Sequence, residues 1–242
     1  MDQAVSRALA ILEALAQSGA PLRLARLTEQ VGLQKSTTHR ILQSLIELGY
    51  VEQEADTGRY APSLKLWELG SAVVVEHPVK RAAASYLHAL HKQTGETVSL
   101  LVRAGDDVLY LERLVSPRPV RFSARPGSRA AALLTSGGRA MLAADPDARA
   151  VVERTAEALR DRRSIDIEAA LSELAEIRAR GYAISRDTPG VVSLGCALPV
   201  RVGQAAISVS APSERLGDGG EARIADALLS TCAALGDTIG AI

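Results

Sequence analysis

The sequence predicts an α+β protein, with an N-terminal winged helix-turn-helix domain, a linker helix and a larger C-terminal domain of helices and antiparallel strands. Three observations carry this prediction. The stretch LARLTEQVGLQKSTTHRILQSLIELGYVE, Leu24 to Glu52, reads as two short helices around a glycine turn. From Val79 onward, segments of helical period alternate with segments of strand period. Finally, 242 residues with 47% apolar content allow a small domain plus one of about 165 residues, each with its own core.

The first expected element is an amphipathic helix whose apolar positions are Val5, Leu9, Leu12 and Leu15. Leu24, Leu27 and Val31 then fall at i, i+3, i+7 on one face of a second helix, and Gly32 permits a sharp turn. Ile41, Leu42, Leu45 and Leu48 give a third helix its buried stripe. Gly49 suits the left-handed residue that closes a helix, and YVEQEADTGRYAP reads as two short strands around Asp56, Thr57 and Gly58. Helix, helix-turn-helix and hairpin together make a winged helix over residues 1–62.

The third helix carries the functional signal. Gln34, Lys35, Ser36, Thr37, Thr38, His39, Arg40 and Gln43 lie off its apolar stripe, and all are able to hydrogen-bond to phosphates or base edges. Arg59 on the hairpin is a candidate phosphate contact. Up to Pro62 there are six basic residues against seven acidic ones, so this is no polybasic patch. Lys35 and Arg40 must present their charge locally, and tight binding is expected to need two copies on two half-sites. The alternative reading is a winged helix that contacts a protein partner instead of DNA, because one fold hosts many functions.

Residues 63–77, within SLKLWELGSAVVVEHP, read as the linker helix, with Pro78 ending it. Leu64, Leu66, Trp67 and Leu69 would leave apolar surface in water, so burial against a second subunit is expected, in a homodimer or homotetramer. Residues 78–242 follow. RAAASYLHALHKQTG reads as helix, VSLLVRAGDDVLYLERL as a hairpin, PVRFSARPG as a strand and Leu133 to Ala144 as helix. Further helices are expected from Pro146 to Leu159 and Ile167 to Arg180, strands at Tyr182 to Ser185, Val191 to Val200 and Ala205 to Ser210, and a closing helix from Glu221.

Other classes find no support. No apolar run approaches the roughly eighteen residues of a membrane span, and no cationic segment precedes an apolar signal region, so a soluble, cytoplasmic protein without membrane association is expected. A formal net charge of zero gives no general attraction to polyanions. The motifs G-x-S-x-G, G-x-x-x-x-G-K-[ST] and G-x-G-x-x-G after a strand do not occur, which argues against an enzyme and gives no cofactor. His88 and His91 stand at i, i+3, yet without a paired cysteine motif they read as a solvated face, so no metal is expected. Cys196 and Cys232 read as packed thiols whose apolar settings raise their pKa.

Nearly end to end, the chain resembles the IclR family of bacterial transcriptional regulators. The likeness runs from Ser6 to Pro62 through the G-L-x-K-S-T start of the recognition helix (Gly32 to Thr37), the L-x-x-x-G-Y-V exit and the D-x-G-R-Y wing. It continues through GETVSLLV, VLYLERL, PGSRAAALLTSGGRAMLA, RGYAISRD and AAISVSAP in the family's order. The resemblance implies a GAF-like α/β effector-binding domain and a ligand-responsive regulator that binds a palindromic operator. Carried over by position, it implies effector contacts from Val120, Ser123, Ala131, Gly137, Gly138, Ser193, Ser208 and Ser210. Between Gly181 and Gly190 the chain is shorter than the family's usual loop, and Ser185, Arg186 and Asp187 stand where acidic residues are common. Ser185 joins the candidate effector residues, and Arg186 is expected to alter the ligand charge that the site prefers. Ser208 and Ser210, two apart on a strand, share a face, and Gly137 and Gly138 can bring backbone N–H groups to an anion, so a small carboxylate or amino-acid-like effector is expected. Gly-Gly at this point is equally consistent with close packing, and strand serines with bonds to nearby backbone.

Overall fold

The computed structural model describes residues 2–118, 125–199, 204–217 and 219–240. The chain divides into two compact units, Met1–Val75 and Glu76–Ile242.

In the first unit, α1 (Gln3–Gln17) starts at Asp2, whose carboxylate accepts the Ala4 N–H at 2.8 Å. α2 (Leu24–Val31) stops at Gly32, which has φ 64°, a left-handed conformation that costs glycine nothing. α3 (Lys35–Glu47) follows, and β1 (Val51–Gln53) pairs antiparallel with β2 (Tyr60–Pro62) as the wing. Ile11, Leu15, Leu27, Leu42, Leu45, Val51 and Tyr60 form the core. Two expectations need correction. The buried face of α1 is set by Ile11 and Leu15, whereas Val5 and Leu9 are exposed. At 100° per residue these two lie about a quarter turn or more off the buried face. Leu48 is also exposed, because α3 ends at Glu47 and Leu48 caps it outside the helical stripe.

α4 (Leu64–Val75) belongs to this unit and contains no buried residue. Its start is tied to the winged helix: Ser63 Oγ donates to the Gly49 carbonyl at 2.5 Å, and Lys65 Nζ donates to the Leu48 carbonyl at 2.7 Å while lying 4.6 Å from the Tyr50 ring centroid. Beyond Lys65, Trp67 is 70% exposed and Val73 73%.

The second unit is built on a six-stranded antiparallel sheet. Its strands are β3 (Thr97–Ala104), β4 (Asp107–Leu114), β5 (Arg129–Ala131), β6 (Ala183–Ser185), β7 (Val191–Ala197) and β8 (Ala205–Pro212), in spatial order β5-β4-β3-β8-β7-β6. Alternation along the strands divides the side chains between two faces. Val98, Leu100, Leu194, Ile207 and Val209 meet α5 (Pro78–Thr94) and α9 (Gly220–Gly240) on one face. Leu101, Val108 and Ala206 meet α6 (Ser136–Ala143) on the other, with α8 (Ile167–Arg180) and α7 (Ala148–Leu159) stacked behind it. The expected strand in PVRFSARPG falls mostly outside the described residues, as do Val120 and Ser123. Pro78 both follows the linker helix and opens α5, where its missing N–H removes one donor that would have no helical partner.

One irregularity resets the alternation. Leu100 pairs with Glu112 but Leu101 with Tyr110, so Leu111 is the extra residue of a β-bulge. By strict alternation Tyr110 and Arg113 would face opposite ways. The bulge places them on one face, and Leu111 and Glu112 on the other: Leu111 enters the α5/α9 core and Glu112 pairs with Lys80 of α5 at 3.1 Å.

α6 packs so closely against the sheet on one side and against the turn before it on another that glycine is required at two points. A Cβ on Gly195 of β7 would lie 2.3 Å from the Ser136 carbonyl carbon, and one on Gly138 would lie 2.1 Å from the Ala132 carbonyl oxygen. Backbone cannot yield as a flexible side chain can, so G138A and G195A are each expected to destabilise the second unit by about 3 kcal/mol, the upper end of overpacking costs. Urea unfolding followed by circular dichroism checks this; a change near zero would mean that α6 shifts without cost.

Candidate nucleic-acid interface and effector cavity

The N-terminal half of α3 presents its polar residues to water. Gln34 precedes the helix, and Lys35, Ser36, His39 and Arg40 are exposed, while Thr37 and Gln43 are partly buried. Thr38 departs from expectation. It is 0% exposed, and its hydroxyl donates to the Gln34 carbonyl at 3.1 Å, so the side chain belongs to the core side of α3 and is not available to a groove. The reason is phase, since Thr38, Leu42 and Leu45 lie at i, i+4, i+7. Arg59 is exposed at the wing, whose tip is fixed by Gln53 Nε2 donating to the Gly58 carbonyl at 3.0 Å. Among the described residues, Lys35, Arg40 and Arg59 enter no ion pair, whereas Arg26 is engaged by Glu29 at 3.0 Å.

In the second unit a cavity of about 220 Å³ opens between the sheet and the start of α6. Ser185, Ser193, Ser208 and Ser210, all anticipated from the sequence, line it. Ser193 is the middle of a hydroxyl chain, with its Oγ 2.9 Å from Ser136 Oγ and 2.9 Å from Ser210 Oγ. Ala131, Gly137 and Gly138 are not part of the lining. Gly137 and Gly138 are buried against Leu101, Ala206 and Ala132, and the Gly138 N–H is already taken by the Thr135 hydroxyl at 3.0 Å. Their role is close packing, and Thr135 and Ser136 reach the cavity instead. Ala131 pairs with Asp107 at the sheet edge, leaving its neighbour Ala130 to line the wall.

The sequence pattern gave no sign of Tyr110 and Arg113. Both line the cavity because the bulge turns them to the same face, with the Arg113 guanidinium carbon 5.9 Å from the Tyr110 ring centroid. Burial pushes the Arg113 pKa down, against the pull of Tyr110, and burial pushes the Tyr110 phenol up, against the charge of Arg113. The loop residues also behave differently from expectation. Arg186 points to α9, donating to Glu221 at 2.6 Å, and does not line the cavity. Asp187 accepts from Arg139 at 2.5 Å, Arg163 at 2.6 Å and Ser185 at 2.9 Å. Burial alone would raise its pKa; the Arg163 and Ser185 hydrogen bonds and the Arg139 charge outweigh this and hold it below the ordinary aspartate value.

The remaining candidates are structurally occupied. His88 Nδ1 lies 2.8 Å from the Ala84 carbonyl and His91 Nδ1 2.7 Å from the Glu96 carbonyl. Cys196 and Cys232 are buried neighbours. Their mutual hydrogen bond raises the Cys232 thiol and lowers Cys196, and burial pushes both up, so the expected effect of apolar surroundings acts on both thiols and is outweighed at Cys196. Among the described residues no helix is long and apolar enough to cross a membrane.

A winged helix with solvent-facing cations on α3, followed by a separate unit that encloses a polar cavity, defines a DNA-binding regulator with a ligand-responsive domain. Comparison with known proteins specifies which kind. Residues 4–55 match the IclR helix-turn-helix domain, and residues 71–236 match the bacterial transcriptional regulator IclR C-terminal domain. The chain is 32% identical to the probable transcriptional regulator SauR of Cupriavidus necator, over 89% of this chain and 88% of that protein. It is also 32% identical to the HTH-type transcriptional regulator BhcR of Paracoccus denitrificans, over 94% and 84%. The crystal structure of an IclR family transcriptional regulator from Brucella abortus superposes with a TM-score of 0.80 at 22% identity, covering 98% of this chain and 92% of that one, which shows the shared fold. The chain belongs to the IclR family of bacterial transcriptional regulators.

The Asp187 cluster makes a pH prediction. A carboxyl whose folded-state pKa is depressed stabilises the fold above its unfolded pKa, and that contribution is lost as pH falls through the folded value. D187N is therefore expected to be less stable than wild type at pH 7, with the gap closing below about pH 4. Urea midpoints from pH 7 to pH 3 read it directly; a pH-independent gap would assign the loss to geometry and not to charge.

Proposed function

We propose that this chain is a ligand-responsive transcriptional regulator that binds a palindromic operator as a dimer or tetramer, with heads in residues 1–62, a linker helix in 63–77 and an effector domain in 78–242. The observation that carries it is the exposed start of α3, where Lys35, Ser36, His39 and Arg40 face water and neither cation has an ion-pair partner among the described residues. A helix N-terminus already favours phosphate oxygens, and these side chains add donors for phosphates and base edges. Gln34, Thr37, Gln43 and Arg59 complete the surface. It acts in the cytoplasm on double-stranded DNA.

The oligomer follows from α4. Eight of its twelve residues are Leu, Trp, Ala or Val and none is buried, a surface that water does not stabilise and that a second copy of the same helix would cover. Two heads then meet two half-sites, compensating for the modest charge of each. The effector is a small carboxylate or amino-acid-like metabolite held at Ser185, Ser193, Ser208 and Ser210. It alters operator affinity only by as much as it prefers one arrangement of the heads over another.

Gel-shift titration against DNA immediately upstream of the gene, with random DNA as competitor, tests the DNA reading. K35A/R40A is expected to weaken operator binding and to flatten the dependence of log affinity on log salt by about one for every phosphate that a head no longer neutralises. Unchanged binding and slope would refute the surface and favour a protein partner for the winged helix. For the oligomer, W67S/V73S is expected to shift the sedimentation coefficient toward that of a monomer without loss of helical circular dichroism, and an unchanged assembly would place the interface elsewhere.

A further inference from the structure

The segment that leads into α2 adds a third line of backbone to the wing. The Leu22 N–H donates to the Tyr60 carbonyl at 2.9 Å and the Tyr60 N–H to the Leu22 carbonyl at 2.8 Å, an antiparallel bridge on the free side of β2. Tyr60 is buried and Leu22 packs against the same core. The next residues on the two segments, Arg23 and Arg59, therefore stand across from each other on the outer face, and both are exposed. Neither side chain forms a hydrogen bond or an ion pair among the described residues. Glu52 and Glu54 hold the β1 side of this face; Glu54 accepts from the Thr57 hydroxyl, and neither acid pairs with an arginine.

Arginine is a poor choice for position 23 on three counts. It is the N-cap of α2 and makes no side-chain cap bond, where Ser, Thr, Asp or Asn would satisfy a free N–H. It puts a cation beside the positive end of the helix. It also faces a like charge directly across the bridge, an arrangement that destabilises paired strands. Local preferences broken without a compensating contact inside the chain are characteristic of functional positions.

We propose that Arg23 and Arg59 together clamp one phosphate of the DNA backbone beside the groove that α3 enters, so that a charge pair unfavourable in the free protein becomes favourable in the complex. The assignment rests on the DNA reading of the winged helix and adds to it a contact that positions the head without reading sequence. A phosphate between two guanidinium groups removes their repulsion, and each planar fork offers it two N–H donors. In a helix-turn-helix the first helix of the motif crosses the sugar-phosphate backbone while the second lies in the groove, which suits a phosphate contact at the start of α2.

The test uses the full-length protein. Gel-shift affinities for operator and random DNA are measured over a salt series for wild type, R23S, R23Q, R59S and R23S/R59S. Each single variant is expected to weaken both DNAs alike, by roughly tenfold at low salt. The double variant should lose far less than the product of the two single losses, because one phosphate is shared, and its slope of log affinity against log salt should flatten by about one per head. In the free protein, amide hydrogen exchange across residues 24–31 should slow in R23S, which supplies the missing cap, and should be no faster than wild type in R23Q, which only removes the charge. Unchanged affinity in R23S and R23Q, losses that multiply in the double variant, or a loss confined to the operator overturns the clamp and leaves DNA binding itself intact. Faster exchange in both position-23 variants would make Arg23 a structural support of α2 and overturns the clamp as well. A folded wild type that binds neither DNA refutes the DNA reading, and the clamp falls with it.

Discussion

The approach of α6 to the sheet is the constraint on which the second unit depends. Gly195 on β7 removes the Cβ that would meet the Ser136 backbone, which lets the helix settle directly on β3, β7 and β8, and Gly138 in α6 leaves room for the Ala132 carbonyl of the turn before the helix. That approach places Ser136 at the sheet, 2.9 Å from Ser193, and so starts the hydroxyl chain of the cavity. It also carries Ala140, Met141 and Leu142 into the core shared with α7 and α8. Tight packing and a polar cavity are thus consequences of one geometry: the helix body fills the space that its first turn leaves open.

Charge is distributed by the same logic of commitment. Glu96 is buried and accepts from Arg118 at 2.5 Å and Arg215 at 2.6 Å, and Asp187 is gripped by Arg139 and Arg163. These clusters satisfy charge within the fold, where an uncompensated buried carboxylate would be costly. The cations Lys35 and Arg40 of α3 belong to a different group, because they face water and enter no ion pair among the described residues. The zero net charge of the whole sequence conceals this local asymmetry.

Much of the fold was legible in the sequence because its signals are local. Gly32 and Gly49 marked turns that they do make, with φ of 64° and 79°, and the Ile167 to Arg180 helix has those very ends. The wing followed from Asp56, Thr57 and Gly58. The candidate DNA surface was read from a helical pattern, and only Thr38 fell on the wrong side, since a threonine hydroxyl that bonds to its own helix can be buried. Of the effector residues expected from the sequence, Ser185, Ser193, Ser208 and Ser210 line the cavity, whereas Gly137 and Gly138 pack against their neighbours, and no sequence pattern pointed to Arg113 in its wall.

Most of the helices and strands, and turns such as those at Gly32 and Gly49, were legible in local sequence, because periodicity, caps and turn residues act over a few neighbouring positions, whereas the short edge strand β5 at Arg129–Ala131 was not anticipated. Tertiary structure decided the facing of side chains wherever regular period breaks down, and the partners of charged groups far apart in the chain. Leu111 illustrates the reason. One extra residue in the pairing of β4 with β3 moves Arg113 from one side of the sheet to the other, and its presence is set by pairing between strands, which no pattern within β4 records.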